Sequence, residues 1–446
     1  MNAPLTPAEL PVVAQRPVPP EFIEALQARF GDQCSTAMAV REQHGRDESV
    51  FVHVPPPAAV VFAHNTTDVA DAVALCQAHR VPVIPFGVGS SLEGHLLATQ
   101  GGISLDVSRM DKVLSIEPEN LIARVQPGVT RKALNEALRN EGLFFPIDPG
   151  ADASLGGMTA TRASGTNAVA ARKSSAGYDL TRLLVGSEGT LGVITEVTVK
   201  LYPLPEAVMA AVCSFPSVEA AVRTTIQIIQ LGVPIARCEL LDDKTVRMVN
   251  RYAKLTLPEN PMLLMEFHGS PSGVAEQIET VKELATEWGG SDFSWADTPE
   301  ERNKLWTARH NAYFAGLQAR PGCRAISTDT CVPISQLAEC VTHTVAEAEA
   351  AGVQYFLVGH VGDGNFHMGY LIDPNDAAEL ELVERLNASV VARALSLGGT
   401  CTGEHGIGLH KRGFLLREAG DEAVHAMRAI KQALDPLGIL NPGKIF

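Results

Sequence analysis

The stretch HVGDGNFH sets His360 and His367 seven residues apart around a glycine-rich turn. Two imidazoles at that spacing are either satisfied core histidines or the start of a metal site, and spacing alone does not decide. Further on, TGEHGIG places Glu404 and His405 side by side in another glycine-rich turn. One carboxylate and two imidazoles suit a divalent first-row ion that keeps positions open for a substrate, Zn²⁺ or Mn²⁺ being the chemically fitting choices. Such an ion lowers the pKa of a hydroxyl that it meets, and a nearby imidazole titrating near neutrality can accept the proton. Asn365, between the two histidines, is a candidate donor to a substrate carboxylate or hydroxyl. In WTARHNAY, Arg309 follows Trp306 on a predicted helix. Taken alone, that arginine reads as an exposed helix charge.

Three stretches of the first half set glycines and small hydroxyl residues beside strand-like runs: PFGVGSSLEGH (85–95), PGADASLGGMTATRASGTN (149–167) and GSEGTLGVITE (186–196). Glycine lets the backbone approach a ligand closely, and successive N–H groups in such turns bind pyrophosphate oxygens. Each alone reads as a tight turn. Three in one domain point to a cradle for a dinucleotide. No G-K-[ST] follows any of them, and GVGSSLEG lacks the G-x-G-x-x-G spacing, so neither a Walker loop nor a Rossmann fingerprint is present.

The elements that must position these residues are legible in outline. A helical segment is expected over 21–40. AAVVFA, a helix over NTTDVADAVALCQAHR capped by Thr66, and VPVIPFG read as a βαβ-like unit over 58–87. Strands follow in GGISLDVSRM and VLSIEPENLIARVQPG, then a helix capped by Thr130 and stopped by Gly142. The two prolines of LYPLPEAV mark a boundary near 203–208. Beyond it AAVCSF, a helix over 217–231, LLMEFHG, a helix over 272–288, YFLVGHVG and a helix over 377–397 suggest a second α+β domain.

The 446 residues are too many for one small core, so two domains are expected. A net charge of −15 argues against a nucleic-acid partner, which needs a basic face. The eight cysteines are scattered without C-x-x-C, which fits reduced thiols and a cytoplasmic setting. The first residues, rich in Pro and Ala, read as a lead-in rather than a signal peptide, and no apolar run is long enough to span a bilayer. Any membrane association would be peripheral, at the inner membrane.

Together GSSLEGH, PGADASLGGM and GSEGTLG resemble the loops of the vanillyl-alcohol oxidase type flavoproteins. Within these, the chain is similar to the FAD-linked D-lactate dehydrogenase (cytochrome) and glycolate oxidase subunit family, from HGRDES (44–49) to NPGK (441–444). The resemblance implies an α+β fold: a lead-in and helix over 1–50, an FAD-binding domain over 51–204, a ferredoxin-like α+β cap carrying the metal site over 205–420, and a tail over 421–446 returning to the flavin. It implies FAD contacts from Gly87, Gly89, Ser90, Ser91, Gly94, His95, Pro149, Asp152, Ser154, Gly156, Gly157, Ser164, Gly165, Glu188, Gly192, Ile194 and Asn441. It implies His360, His367 and Glu404 as metal ligands, His405 as the base, and Arg309 as the clamp on the substrate carboxylate. The expected activity is oxidation of a small D-2-hydroxy acid, D-lactate to pyruvate, with electrons passed to a quinone, a cytochrome or an electron-transfer flavoprotein. A homodimer is compatible with it.

Two departures bear on this expectation. Related 2-hydroxyglutarate enzymes carry a lysine where AISTDTCVP has Ser327, which favours a small acid here. D-lactate and glycolate differ by one methyl group, a weak basis for discrimination. Relatives also continue after T-N-A-V with a strand–turn–strand, whereas SGTNAV here runs straight into AARKSSAGYDL, so a hairpin near 169–171 is missing. That leaves a flavin-deficient, metal-binding, non-catalytic protein as an alternative. A metal-dependent hydrolase would use HVGDGNFH and GEH but leave the glycine loops without a purpose.

Overall fold

A computed structural model describes residues 15–49, 54–148, 152–163 and 177–446. They form two compact units, one from Pro205–Gly403 and one from the described part of Glu9–Leu204 together with Glu404–Phe446. The second segment of the latter unit therefore starts at Glu404, not after residue 420. The reason is local: the backbone N–H groups of Ile407 and Gly408 both donate to the Glu188 carboxylate, and Leu409 N donates to the Glu93 carbonyl. Pro149, Ser164, Gly165 and the gap near 169–171 lie outside the described residues.

In the unit that contains the glycine loops, a four-stranded sheet runs in the order Cys34–Ser35, Ala59–Phe62, Ile103–Asp106, Val83–Phe86. The strands of the expected βαβ unit are not neighbours, because Ile103–Asp106 inserts between them and pairs with both in parallel. The segment 21–40 is not one helix. It breaks at Gly31 (φ +50) into Pro20–Phe30 and Met38–His44, with an edge strand between them. Asn65, not Thr66, caps helix Thr66–His79, its side chain accepting from Asp68 N. Thr130 caps Arg131–Ala137 as expected, but that helix ends before Gly142. A three-stranded sheet of Val113–Glu117, Ile122–Val125 and Val197–Lys200 packs its own core around Leu134, Phe145 and Leu155.

The other unit is built on an eight-stranded antiparallel sheet. Its first four strands, Ala207–Ser214, Ile235–Leu241, Met262–Gly269 and Ser291–Ala296, lie in the spatial order fourth, first, third, second. Helices Val218–Gln230 and Pro271–Glu287 connect first to second and third to fourth. That is the ferredoxin-like arrangement. The sheet then extends through Tyr355–His360, Asn365–Ile372 and Arg324–Ser327. Gly369 lies opposite Phe356, whose ring fills the space of the absent side chain: a Cβ on Gly369 would come within 2.1 Å of it. No described helix is long and apolar enough to cross a membrane.

Candidate active site

The strand register brings the two histidines together. Leu240 faces Gly359 across one strand pair, which puts Glu239 opposite His360, and His360 in turn faces Asn365 across the next. Side chains alternate along a strand, so Glu239, His360, Asn365 and His367 share one face of the sheet. Gly364 closes the intervening turn at φ +79, where a Cβ would lie 2.3 Å from the Val332 carbonyl oxygen. Only glycine fits there. The rings of His360 and His367 stand at 85° with centroids 5.4 Å apart.

Hydrogen bonds orient both rings. Nδ1 of His360 lies 2.6 Å from Glu239 Oε1, and Nδ1 of His367 lies 3.0 Å from the Thr328 carbonyl oxygen. An ionised carboxylate and a carbonyl only accept, so each Nδ1 carries the hydrogen and donates it, leaving Nε2 as the lone-pair nitrogen. Metal-binding histidines are held in this way, so the donor set fits a divalent ion. Glu239 was not singled out from the sequence. Its signal is a lone acid inside the apolar strand run ARCELL. Its second oxygen accepts from Arg309 Nε at 2.7 Å. Burial alone would raise its pKa, but His360 and Arg309 outweigh that and hold it near about 2.

Arg309 sits on helix Pro299–His310 and is tied at Nε alone, its two terminal nitrogens binding no described residue. Asn365 is placed differently from the expected donor. Its Nδ2 donates to Asp329 Oδ1 and to the Thr330 carbonyl, each at 3.0 Å. The atom left for a ligand is the buried acceptor Oδ1. Asp329, also not singled out, accepts a hydrogen bond from Thr402 Oγ1 at 2.7 Å as well. Ser327 ends strand Arg324–Ser327, opposite Gly369.

In the other unit, PFGVGSSLEGH begins with the last two residues of strand Val83–Phe86 and runs on as a loop. Gly156 approaches Pro127 so closely that a Cβ would fall 2.4 Å from the proline Cβ, and a Cβ on Gly87 would fall 2.9 Å from Ser154 Oγ. Ser154 caps the short helix Leu155–Thr161 by accepting from Gly157 N. Gly89 and Gly94 hold positive φ, as loops that present backbone to a ligand require. Ser90 is exposed, while Gly192 and Ile194 are half-buried. Asp152 is exposed and faces Lys132 at 4.0 Å. Ser91 donates to Asp47 Oδ2 at 3.1 Å.

The end of the chain is fastened onto this loop. Asn441 Nδ2 donates to the carbonyls of His95 (3.2 Å) and Glu188 (2.8 Å). Lys444, 2% exposed, donates to the Leu97 carbonyl, and its burial lowers its pKa to about 8. The side chains of Glu188 and Asn441 thus hold protein groups. His95 is buried with Nε2 3.2 Å from Glu188 Oε2, and its Nδ1 has no hydrogen-bond partner among the described residues. An orphaned polar atom inside a cradle of close-packed glycines fits a polar cofactor edge. His405 points Nδ1 at Glu93 Oε1, 3.2 Å away. Glu93, in GSSLEGH, also meets Lys411 Nζ at 3.1 Å and His410 Nδ1 at 3.8 Å. Burial works to raise its pKa, but these neighbours, Lys411 foremost, hold it well below the usual carboxylate range.

Comparison with known proteins decides the family. Residues 57–185 match the FAD binding domain, and residues 204–445 match the C-terminal domain of FAD linked oxidases. The chain belongs to the FAD-linked oxidases. It is 46% identical to the "Probable D-lactate dehydrogenase, mitochondrial" of Danio rerio, covering 95% of this chain and 91% of the relative. It is 40% identical to "D-lactate dehydrogenase [cytochrome], mitochondrial" of Arabidopsis thaliana, over 96% of this chain and 80% of that one. Both names specify mitochondria, unlike the cytoplasmic setting read from the cysteines. The 454 positions aligned with the Danio protein outnumber all 446 residues here yet use 95% of them, so that relative has residues facing gaps in this chain. Among solved structures, p-cresol methylhydroxylase matches with a TM-score of 0.78 at 16% identity, over 95% of this chain and 96% of that one. This likeness shows the vanillyl-alcohol oxidase type fold.

Proposed function

We propose that this FAD-linked oxidase oxidises a small D-2-hydroxy acid, with D-lactate as substrate and pyruvate as product. His360, His367 and Glu404 would hold a divalent ion, Zn²⁺ or Mn²⁺, which supplies Lewis acidity to the substrate hydroxyl. The glycine loops would hold FAD, which when bound would supply a two-electron acceptor for oxidation at C2, with a quinone, a cytochrome or an electron-transfer flavoprotein as the onward acceptor. The terminal nitrogens of Arg309 would grip the carboxylate as a fork. With Nδ1 of His405 turned toward Glu93, its Nε2 is the nitrogen that takes the hydroxyl proton. Ser327 leaves out a cation for a second carboxylate, which favours a monocarboxylate.

The observation that supports this reading is the hydrogen bonding of the two imidazoles, each through Nδ1, so that Nε2 is the nitrogen a divalent ion would meet. The ultraviolet–visible spectrum of the purified protein tests it. Flavin absorbance should bleach on anaerobic addition of D-lactate and not of L-lactate. A colourless protein that takes up no added FAD would sink the proposal. It would favour the second reading, a flavin-deficient metal-binding protein, which the gaps against the Danio relative keep in play.

A further inference from the structure

We infer that Glu239 is a positioning residue that couples the ion site to the carboxylate clamp, orienting His360 through one oxygen and Arg309 through the other. The inference rests on the proposed function and deepens it. An acid in the middle of a buried strand is costly, since burying a charge without partners is strongly unfavourable. The neighbouring residues Cys238, Leu240 and Leu241 are buried and uncharged. Packing alone would be met by glutamine or leucine at this position. What a carboxylate adds is two acceptor atoms on a rigid fork, and here each serves a different partner. Oε1 takes the hydrogen of His360 Nδ1 at 2.6 Å, and Oε2 takes the hydrogen of Arg309 Nε at 2.7 Å.

Each contact leaves the useful end of its partner pointing elsewhere. On His360 the remaining nitrogen is Nε2. On Arg309 the remaining donors are the two terminal nitrogens, which suit a bidentate carboxylate. The strand register makes this arrangement stiff: Glu239 and His360 are cross-strand neighbours, so their separation is set by the ladder rather than by a loop. Helix Pro299–His310 delivers Arg309 to the same carboxylate. One residue thereby fixes where the ion sits relative to where the substrate carboxylate is gripped. Those are the two points that orient a 2-hydroxy acid.

The test is Glu239→Gln, which keeps the size but replaces one acceptor oxygen with an NH₂ that must confront either His360 Nδ1–H or Arg309 Nε–H. Mn²⁺ affinity, measured on chelator-stripped protein by calorimetry, should fall about 10- to 100-fold, as for other partners of metal-bound histidines. The KM for D-lactate should rise, and that rise should vanish when the same change is made in an Arg309→Ala background, because the two residues act as one unit. The flavin-to-protein ratio and flavin spectrum should stay those of the parent. Glu239→Asp, which keeps the charge but is one methylene too short to span both partners, should give a milder loss of the same two kinds. Unchanged Mn²⁺ affinity together with an unchanged KM would overturn the inference. So would loss of flavin and fold in both variants, which would mark Glu239 as merely structural. A His360→Ala control separates the layers. If it retains full Mn²⁺ affinity, the ion site itself is wrong and the inference falls with it. If it loses affinity while Glu239→Gln does not, only the role of Glu239 is refuted.

Discussion

Replacing Glu93 by glutamine should destabilise the flavin-loop unit far more than an ordinary surface change. Glu93 is 5% exposed and Lys411 2%, and their side chains meet at 3.1 Å, with His405 at the same carboxylate oxygen and His410 nearest the other. The substitution removes the anion that the buried Lys411 ammonium meets at 3.1 Å. Breaking a buried pair from one side costs about 3–5 kcal/mol. Removing both charges, as in Glu93→Gln with Lys411→Met, should recover a large part of that loss, because the buried ammonium is then gone too. Urea unfolding followed by release of flavin fluorescence reads this unit specifically, which matters because a two-unit chain need not unfold in one step. The pH dependence has a definite sign. The folded pKa of Glu93 is depressed below the ordinary glutamate value of about 4.3. Its stabilising contribution is therefore full above that pH and fades as pH falls toward the folded value. The gap between parent and variant should be widest near neutrality and shrink in acid. A loss under about 1 kcal/mol, the range of exposed ion pairs, or strictly additive effects of the two substitutions, would refute the reasoning.

Other outcomes follow from the same geometry. His405→Ala should leave the flavin spectrum intact but slow anaerobic flavin reduction by D-lactate about 10²- to 10⁴-fold, the usual contribution of a general base; stopped-flow absorbance checks this. Treatment with a chelator should abolish turnover while flavin stays bound, and added Zn²⁺ or Mn²⁺ should restore it. Lys444, held near about 8 by burial, binds its proton less readily folded than unfolded. Between about pH 8 and the unfolded lysine value of about 10.4, stability should therefore rise with pH. Lys444→Met should flatten that rise in urea titrations at stepped pH.

How much of this was legible in the sequence depended on whether a signal is local. The cap at Thr130 and the strand runs of the second half are read from neighbouring residues, and they stand where expected, whereas the cap of Thr66–His79 lies one residue earlier, at Asn65. The insertion of Ile103–Asp106 between Ala59–Phe62 and Val83–Phe86 is a matter of pairing between distant segments, which periodicity does not encode. The same division runs through the candidate site. His360, His367 and His405 announce themselves by type and by glycine context. The groups that orient them do not. Glu239 is 121 residues from His360 in sequence and Glu93 is 312 from His405, so each became visible only when a strand ladder or a loop contact closed the distance. Asn365 shows the converse error: its position between the histidines suggested a donor, but the pairing of Thr330 and Cys331 with Phe366 and Asn365 engages both amide hydrogens. Residue type therefore flags the candidate imidazoles, while the buried acids that hydrogen-bond them come from distant segments, a strand ladder for Glu239 and a loop for Glu93. Those acids, Glu239 and Glu93, are where substitutions should separate positioning from chemistry.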